Sequence, residues 1–176
     1  MKFDPDLHHR RSIRLAEYDY AYWGAFFITI CTHRRERLFG EVVGDEMRLS
    51  EQGKTVREEW DRSGELRSEV SLGPFVVMPN HVHGIVTSES VGAHGNAPCK
   101  AGLIKRPRRS LATFVGGFKG AVTRRINALR DTAGMLVWQR NFYERVIRDQ
   151  DEFQRIRRYI EDNPRHWTDD EYNPGR

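Results

Sequence analysis

The sequence predicts an α+β fold, a mainly antiparallel sheet covered by helices on one face. Runs of β-branched and aromatic residues alternate with stretches of helical spacing, in the order strand, helix, strand, strand, helix, strand, helix. Two of the runs, Pro74–Met78 and His81–Ser88, are joined closely around Pro79-Asn80, as in an antiparallel hairpin. No internal repeat and no composition break divides the 176 residues, so residues 1–176 are expected to form a single domain with a substantial core.

Gly24–Thr32 (GAFFITICT) reads as the first strand, rich in aromatic and β-branched residues. A short hairpin is expected across Glu41–Val43 and Met47–Leu49, turning at Gly44-Asp45. Ser50 is placed to cap a helix running to about Asp61, with Glu51 in its first turn and Val56 and Trp60 four residues apart on one face. After the Pro74–Ser88 hairpin, residues 89–109 mix Gly and Pro with bases and read as a long mobile loop. Ser110 would cap a second helix to about Leu129. Gly116, Gly117 and Gly120 weaken it by roughly 1 kcal/mol each, so close approach by a backbone or ligand is one reading and simple flexibility the other. Met135–Gln139 and Phe142–Ile147 suggest an interrupted strand. Asp149 and Glu152 form a capping-box-like start to a last helix, which Pro164 should end.

Composition narrows the function classes. A chain that is 31% charged, with a mean hydropathy of −0.71 and no apolar run long enough to span a bilayer, is not expected to be a membrane protein. The N-terminus MKFDPDLHHRRSIRL lacks the apolar core of a signal peptide, and Cys31 and Cys99 suggest no disulfide framework, so a cytoplasmic location is expected. The net charge of +4 is unevenly spread. Between Glu89 and Asp131 there is no acidic residue, while Lys100, Lys105, Arg106, Arg108, Arg109, Lys119, Arg124, Arg125 and Arg130 fall in that interval. A solvated face explains some charge runs, but ordinary surfaces intersperse both signs, and phosphate is the natural partner for so one-sided a stretch. The basic residues 1–20 read as a tail.

The sharpest chemical signal is His81-Val82-His83. A strand sends residues i and i+2 to one face, so both imidazoles point together while Val82 points into the packed side. A pair of core histidines is the bland reading. As metal ligands the two would need one or two further donors from elsewhere in the chain. The last helix offers them: Phe153, Ile156 and Ile160 make its core stripe, and Tyr159 and Asn163, four apart, project together at its edge. Asn163 would give an amide oxygen to a cation, and Tyr159 a phenol able to attack phosphorus once deprotonated. A tyrosine packed at the core rim is the competing reading. Tyr143, in a predicted strand without an amide partner, reads as structural or DNA-contacting.

Four ordered segments, MPNHVHGIV, SLATFVGGFKGAVTRRIN, VWQRNFYERVIRD and RRYIEDNPRHW, resemble the single-tyrosine transposase superfamily, and within it the REP-associated tyrosine transposases related to IS200/IS605 elements. The resemblance spans roughly residues 20–167. It implies a ferredoxin-like or RRM-like sheet with the His-hydrophobic-His (HUH) motif on a central strand, and cleavage and strand transfer on single-stranded DNA hairpins of the REP type. By position, His81 and His83 match the metal-binding pair, Asn163 completes that site, and Tyr159 matches the nucleophile that forms a 5′-phosphotyrosine. The cation implied is Mg²⁺ or Mn²⁺, the location the nucleoid, and the protein a monomer or homodimer. DNA-backbone contacts are expected from Lys105, Arg106, Arg108, Arg109, Lys119, Arg124 and Arg125, with Phe118, Trp138 or Phe142 stacking on unpaired bases. The alternatives are an RRM-like module that binds hairpin DNA or RNA without cutting, and a replication-initiator or relaxase-type nuclease.

Overall fold

The computed structural model describes residues 24–67, 70–88 and 111–173. Six strands and three helices follow one another as β1 (Gly24–Cys31), β2 (Gly40–Val43), β3 (Glu46–Leu49), α1 (Glu51–Glu65), β4 (Val70–Met78), β5 (His81–Ser88), α2 (Leu111–Arg130), β6 (Tyr143–Ile147) and α3 (Gln150–Asp162). The main sheet has the order β4-β5-β1-β6 with every neighbouring pair antiparallel, so the expected α+β layout is the one adopted. β2 and β3 form a separate hairpin, closed by Gly44 and Asp45, both at positive φ. Such a pair suits the right-handed twist of two strands joined by two residues.

Residue parity along β1 and β5 divides the sheet into two chemically different faces. Phe26, Ile28 and Ile30 of β1 and Val82 and Val86 of β5 point to the larger core, where α1 supplies Val56 and Trp60 and α2 supplies Phe114, Val115, Phe118, Val122 and Ile126. Gly84 belongs to this face. A Cβ there would meet the Trp60 ring at 2.7 Å, so glycine lets α1 lie close against the strand that carries the histidines. Phe27, Ile85 and Ile147 point the other way, and α3 covers them with Phe153, Ile156 and Ile160. The helices therefore divide, two on one face and α3 on the other. The reason is legible in β1 and β5, which carry apolar residues on both faces and must be covered twice.

Several boundaries move from their sequence expectation. α1 continues to Glu65 and β4 begins at Val70, with a bulge between Leu72 and Phe75 around Gly73-Pro74. Ser50 caps α1 as expected, its side chain accepting from the Gly53 amide at 3.1 Å. Met135–Gln139 does not form a strand; Trp138 makes a single bridge to Thr32, and β6 begins at Tyr143. Pro164 changes the last helix without ending helical backbone. Asn163 stays at φ −54, ψ −39, and a 3-10 helix, Asn163–Asp169, continues from α3. Among the described residues no other backbone approaches the glycines of α2: nothing lies near Gly116, and the flexible guanidinium of Arg67 is what lies close to Gly117. The basic N-terminal residues 1–20, the loop 89–109 and the cap at Ser110 fall outside the described residues. Among those described, no helix is long and apolar enough to cross a membrane.

Candidate active site

His81 and His83 lie side by side on the α3 face of β5, both completely buried, with their Nε2 atoms 3.1 Å apart. Two ring lone pairs that close repel unless a proton or a cation lies between them. Each ring is held from behind. His81 Nδ1 lies 2.9 Å from Asn80 Oδ1, and Asn80 spends its own N–H groups on the carbonyls of Arg35 and Tyr172. With Oδ1 left as acceptor, the network assigns the proton of His81 to Nδ1 and leaves Nε2 with its lone pair. His83 Nδ1 lies 2.8 Å from Thr29 Oγ1 on the adjacent strand, its direct cross-strand partner. Burial pushes the His83 imidazole down to about 3 and holds His81 well below the ordinary range, helped there by neighbouring His83 and Arg35. Both rings are therefore neutral at physiological pH, the state that can ligate a metal.

α3 brings the predicted partners to this pair. The Tyr159 hydroxyl lies 3.3 Å from His83 Nε2, while the residue as a whole is 46% exposed. Burial raises the phenol above its usual pKa, the nearby Asp170 carboxylate adds to this, and a hydrogen bond with Asn163 opposes it. Asn163 is 1% exposed, and among the described residues its Oδ1 has no hydrogen-bond partner of good geometry. An orphaned buried carbonyl oxygen is uncommon in a folded protein.

Two further residues reach the site that the sequence reasoning missed. The 3-10 helix after α3 turns the chain back so that Asp170 offers a carboxylate oxygen, all the ligand atoms of His81, His83 and Asp170 lying within 4.8 Å of one another. Tyr172 follows, its ring centroid 4.7 Å from that of His81 and its backbone N–H donating to Asp170 at 2.7 Å. Arg35 and Arg37 hold this segment down through Glu171 O and Asn173 Oδ1. The available signal was the acidic run Asp169–Glu171 just beyond the last recognised motif, and no periodicity marks which of its carboxylates turns inward. The donor set of two neutral imidazoles, an amide oxygen and a carboxylate suits a divalent cation with mixed nitrogen and oxygen preferences.

The expected DNA-binding cations fare differently. Lys105, Arg106, Arg108 and Arg109 lie outside the described residues. Lys119 is turned inward, donating to the carbonyls of Gln139 and Arg140 at 2.6 and 3.2 Å. Arg125 is paired with Glu58 at 2.5 Å and Glu59 at 2.9 Å, and Arg124 is exposed on the same helix. All three sit on α2, which covers the face opposite the histidines. Phe118 and Trp138 are 1% and 5% exposed and belong to the core, so they cannot stack on bases; Phe142 packs partly against the same core.

Among solved structures, a REP-associated tyrosine transposase bound to a REP hairpin matches with a TM-score of 0.57 at 20% identity, over 85% of this chain and 73% of that one. The likeness establishes a shared fold. A candidate transposase from Deinococcus radiodurans R1, 18% identical over 84% of this chain and 95% of its own, has a TM-score of 0.44, too low to weigh. No protein-family model matches the chain. An uncharacterized protein of Haemophilus influenzae is 37% identical over 175 residues, 97% of this chain and 96% of that protein. Identity of that level over nearly the whole of each makes the chain a member of the same family as the Haemophilus influenzae protein.

Proposed function

We propose that the protein is a metal-dependent single-stranded DNA endonuclease and strand transferase, with Tyr159 as nucleophile and REP-like hairpins as substrate. One observation carries the reading. A half-exposed phenol meets a buried, neutral histidine pair on which a carboxylate and the buried amide of Asn163 also converge. A binding module has no use for such an arrangement, because hairpin recognition needs charge and stacking on the surface, not uncompensated donors in the interior.

His81, His83, Asp170 and Asn163 are the residues that would hold Mg²⁺ or Mn²⁺. When bound, the cation would polarise the scissile phosphate and stabilise the charge that develops on it. The chain's own residues do the rest. Asn80 and Thr29 fix the orientation of the two imidazoles from behind, so both Nε2 atoms face one point. Phe27 stacks on His83 at 5.2 Å and meets the Tyr159 ring edge-on at 6.0 Å, setting the position of the nucleophile relative to the pair. The Tyr159 hydroxyl stays protonated at neutral pH because burial favours its uncharged form. It loses that proton as it attacks phosphorus, forming a 5′-phosphotyrosine and releasing a 3′-hydroxyl, the group that reverses the reaction in strand transfer.

The test uses single-stranded hairpin oligonucleotides with Mn²⁺ or Mg²⁺ and looks for a denaturant-resistant protein–DNA adduct. The wild-type protein should form it, and Tyr159→Phe should abolish it while retaining DNA affinity. Tight binding without an adduct on any hairpin would favour the non-cleaving module. An adduct that survives Tyr159→Phe and disappears in Tyr143→Phe would move the nucleophile to Tyr143.

A further inference from the structure

The rows of the sheet point to a second aromatic in contact with substrate. Thr29 of β1 pairs with His83 of β5 on one side and with Tyr143 of β6 on the other, so His83, Thr29 and Tyr143 form one cross-strand row on the same face. Two strand spacings separate the first from the last, about 10 Å. The neighbouring row runs Ile85, Phe27, Arg145. Phe27 lies at the centre of this surface, stacked on His83, edge-on to Tyr159 at 6.0 Å and edge-on to Tyr143 at 6.3 Å.

α3 does not cover all of this face. It starts beside Ile147 at the far end of β6, where Phe153 and Ile156 pack, and crosses toward β4 and β5, where Tyr159 reaches His83. Among the described residues no helix covers the Tyr143 end of β6. Tyr143 is 40% exposed and Tyr159 46%, the two large exposed aromatics among the described residues, and both flank Phe27. Among the described residues β6 is also an edge strand, with no further strand beyond it. Arg145, one row away, is 58% exposed at its side chain and is paired with the Glu152 carboxylate.

We infer that Tyr143 is a base-stacking residue, holding a nucleobase adjacent to the phosphate that Tyr159 attacks. The inference rests on the function proposed above and adds a substrate contact to it. A tyrosine ring presents a flat face to any base, gives up little conformational freedom because it has two side-chain torsions, and is held at one edge by Phe27. An aromatic kept for packing alone would be covered, as Phe26, Phe39, Phe114 and Phe118 are. Stacking is tolerant of sequence, so Tyr143 would position an unpaired strand and leave sequence readout to other contacts.

The experiment measures binding separately from cleavage. The full-length Tyr159→Phe protein, with and without a Tyr143 substitution, is titrated with single-stranded hairpin oligonucleotides in which 2-aminopurine, or an abasic nucleotide, is moved one position at a time through the flanking single strand. At one position the Tyr143 ring should quench 2-aminopurine, and the abasic nucleotide should weaken binding roughly five- to hundredfold. Tyr143→Ala should weaken binding to intact DNA by the same factor and become indifferent to the abasic nucleotide at that position. Tyr143→Phe and Tyr143→Trp should restore both affinity and quenching. If Tyr143→Leu binds like Tyr143→Phe, or if Tyr143→Ala stays as sensitive as the parent protein to every abasic position, the ring is not a stacking platform. Absence of any adduct from the protein with Tyr159 intact, with the base-dependent binding retained, would overturn cleavage and leave the stacking contact standing. Failure to bind single-stranded DNA at all would overturn both.

Discussion

At the residue scale, Asp170 is the most consequential side chain that the sequence did not disclose. A site of two histidines and an amide is neutral, and hard divalent cations favour anionic oxygen. Asp170 supplies that charge from a buried position, and burial raises its carboxyl above the usual range, which proximity to a cation would reverse. Asp170→Asn should therefore weaken Mn²⁺ binding by at least about tenfold, measured calorimetrically on the protein without DNA. Metal affinity that is unchanged or improved would remove Asp170 from the ligand set. His81, His83, Tyr159 and Asn163, by contrast, were legible because local geometry places them: a strand period of two aligns the histidines, and helical spacing aligns the phenol with the amide. Asp170 arrives by a turn of 3-10 helix and a chain reversal, which no short-range period encodes.

At the scale of elements, α3 positions Tyr159, and its first turn sets its angle. Asp149 caps it, accepting from the Glu152 amide at 2.7 Å. The Glu152 carboxylate does not complete the reciprocal box expected of the sequence; it accepts instead from the Arg148 amide at 2.9 Å and from the Arg145 guanidinium on β6. The helix start is thus tied to the strand edge that carries Tyr143. Removing the cap with Asp149→Ala should cost about 1 kcal/mol in denaturant unfolding. The backbone hydrogen bond from Arg148 and the guanidinium of Arg145 lower the Glu152 pKa. A carboxylate with a depressed folded-state pKa contributes stability that is present above its unfolded value, about 4.3, and is lost as pH falls through the folded value. Unfolding free energy measured between about pH 6 and pH 3 should fall more steeply for wild type than for Glu152→Gln. Parallel curves would show that Glu152 contributes nothing by its charge.

For the whole molecule, the sheet separates two tasks, with a helix-covered core on one side and the histidine site on the other. β1 and β5 carry apolar residues on both faces, yet the sequence could not show which cations are free. Arg125 and Glu58 are far apart in the chain, and only folding brings α1 and α2 together to pair them. Lys119 was equally invisible as a clamp on the carbonyls before β6. These observations give Lys119 and Arg125 of the acid-free segment structural roles. Glu59 is only 6% exposed, so Arg125→Ala leaves a buried carboxylate with Arg62 3.9 Å away and should cost about 1–3 kcal/mol of stability. It should leave the salt dependence of DNA binding unchanged, because its charge is already neutralised within the protein. Replacing Lys105, Arg106, Arg108 and Arg109 by alanine should do the reverse. Stability should hold, while the slope of log affinity against log salt on single-stranded DNA becomes shallower by about 0.7 for each phosphate no longer neutralised. If Arg125→Ala flattens that slope as much as the substitutions at 105–109 do, α2 is itself part of the DNA surface.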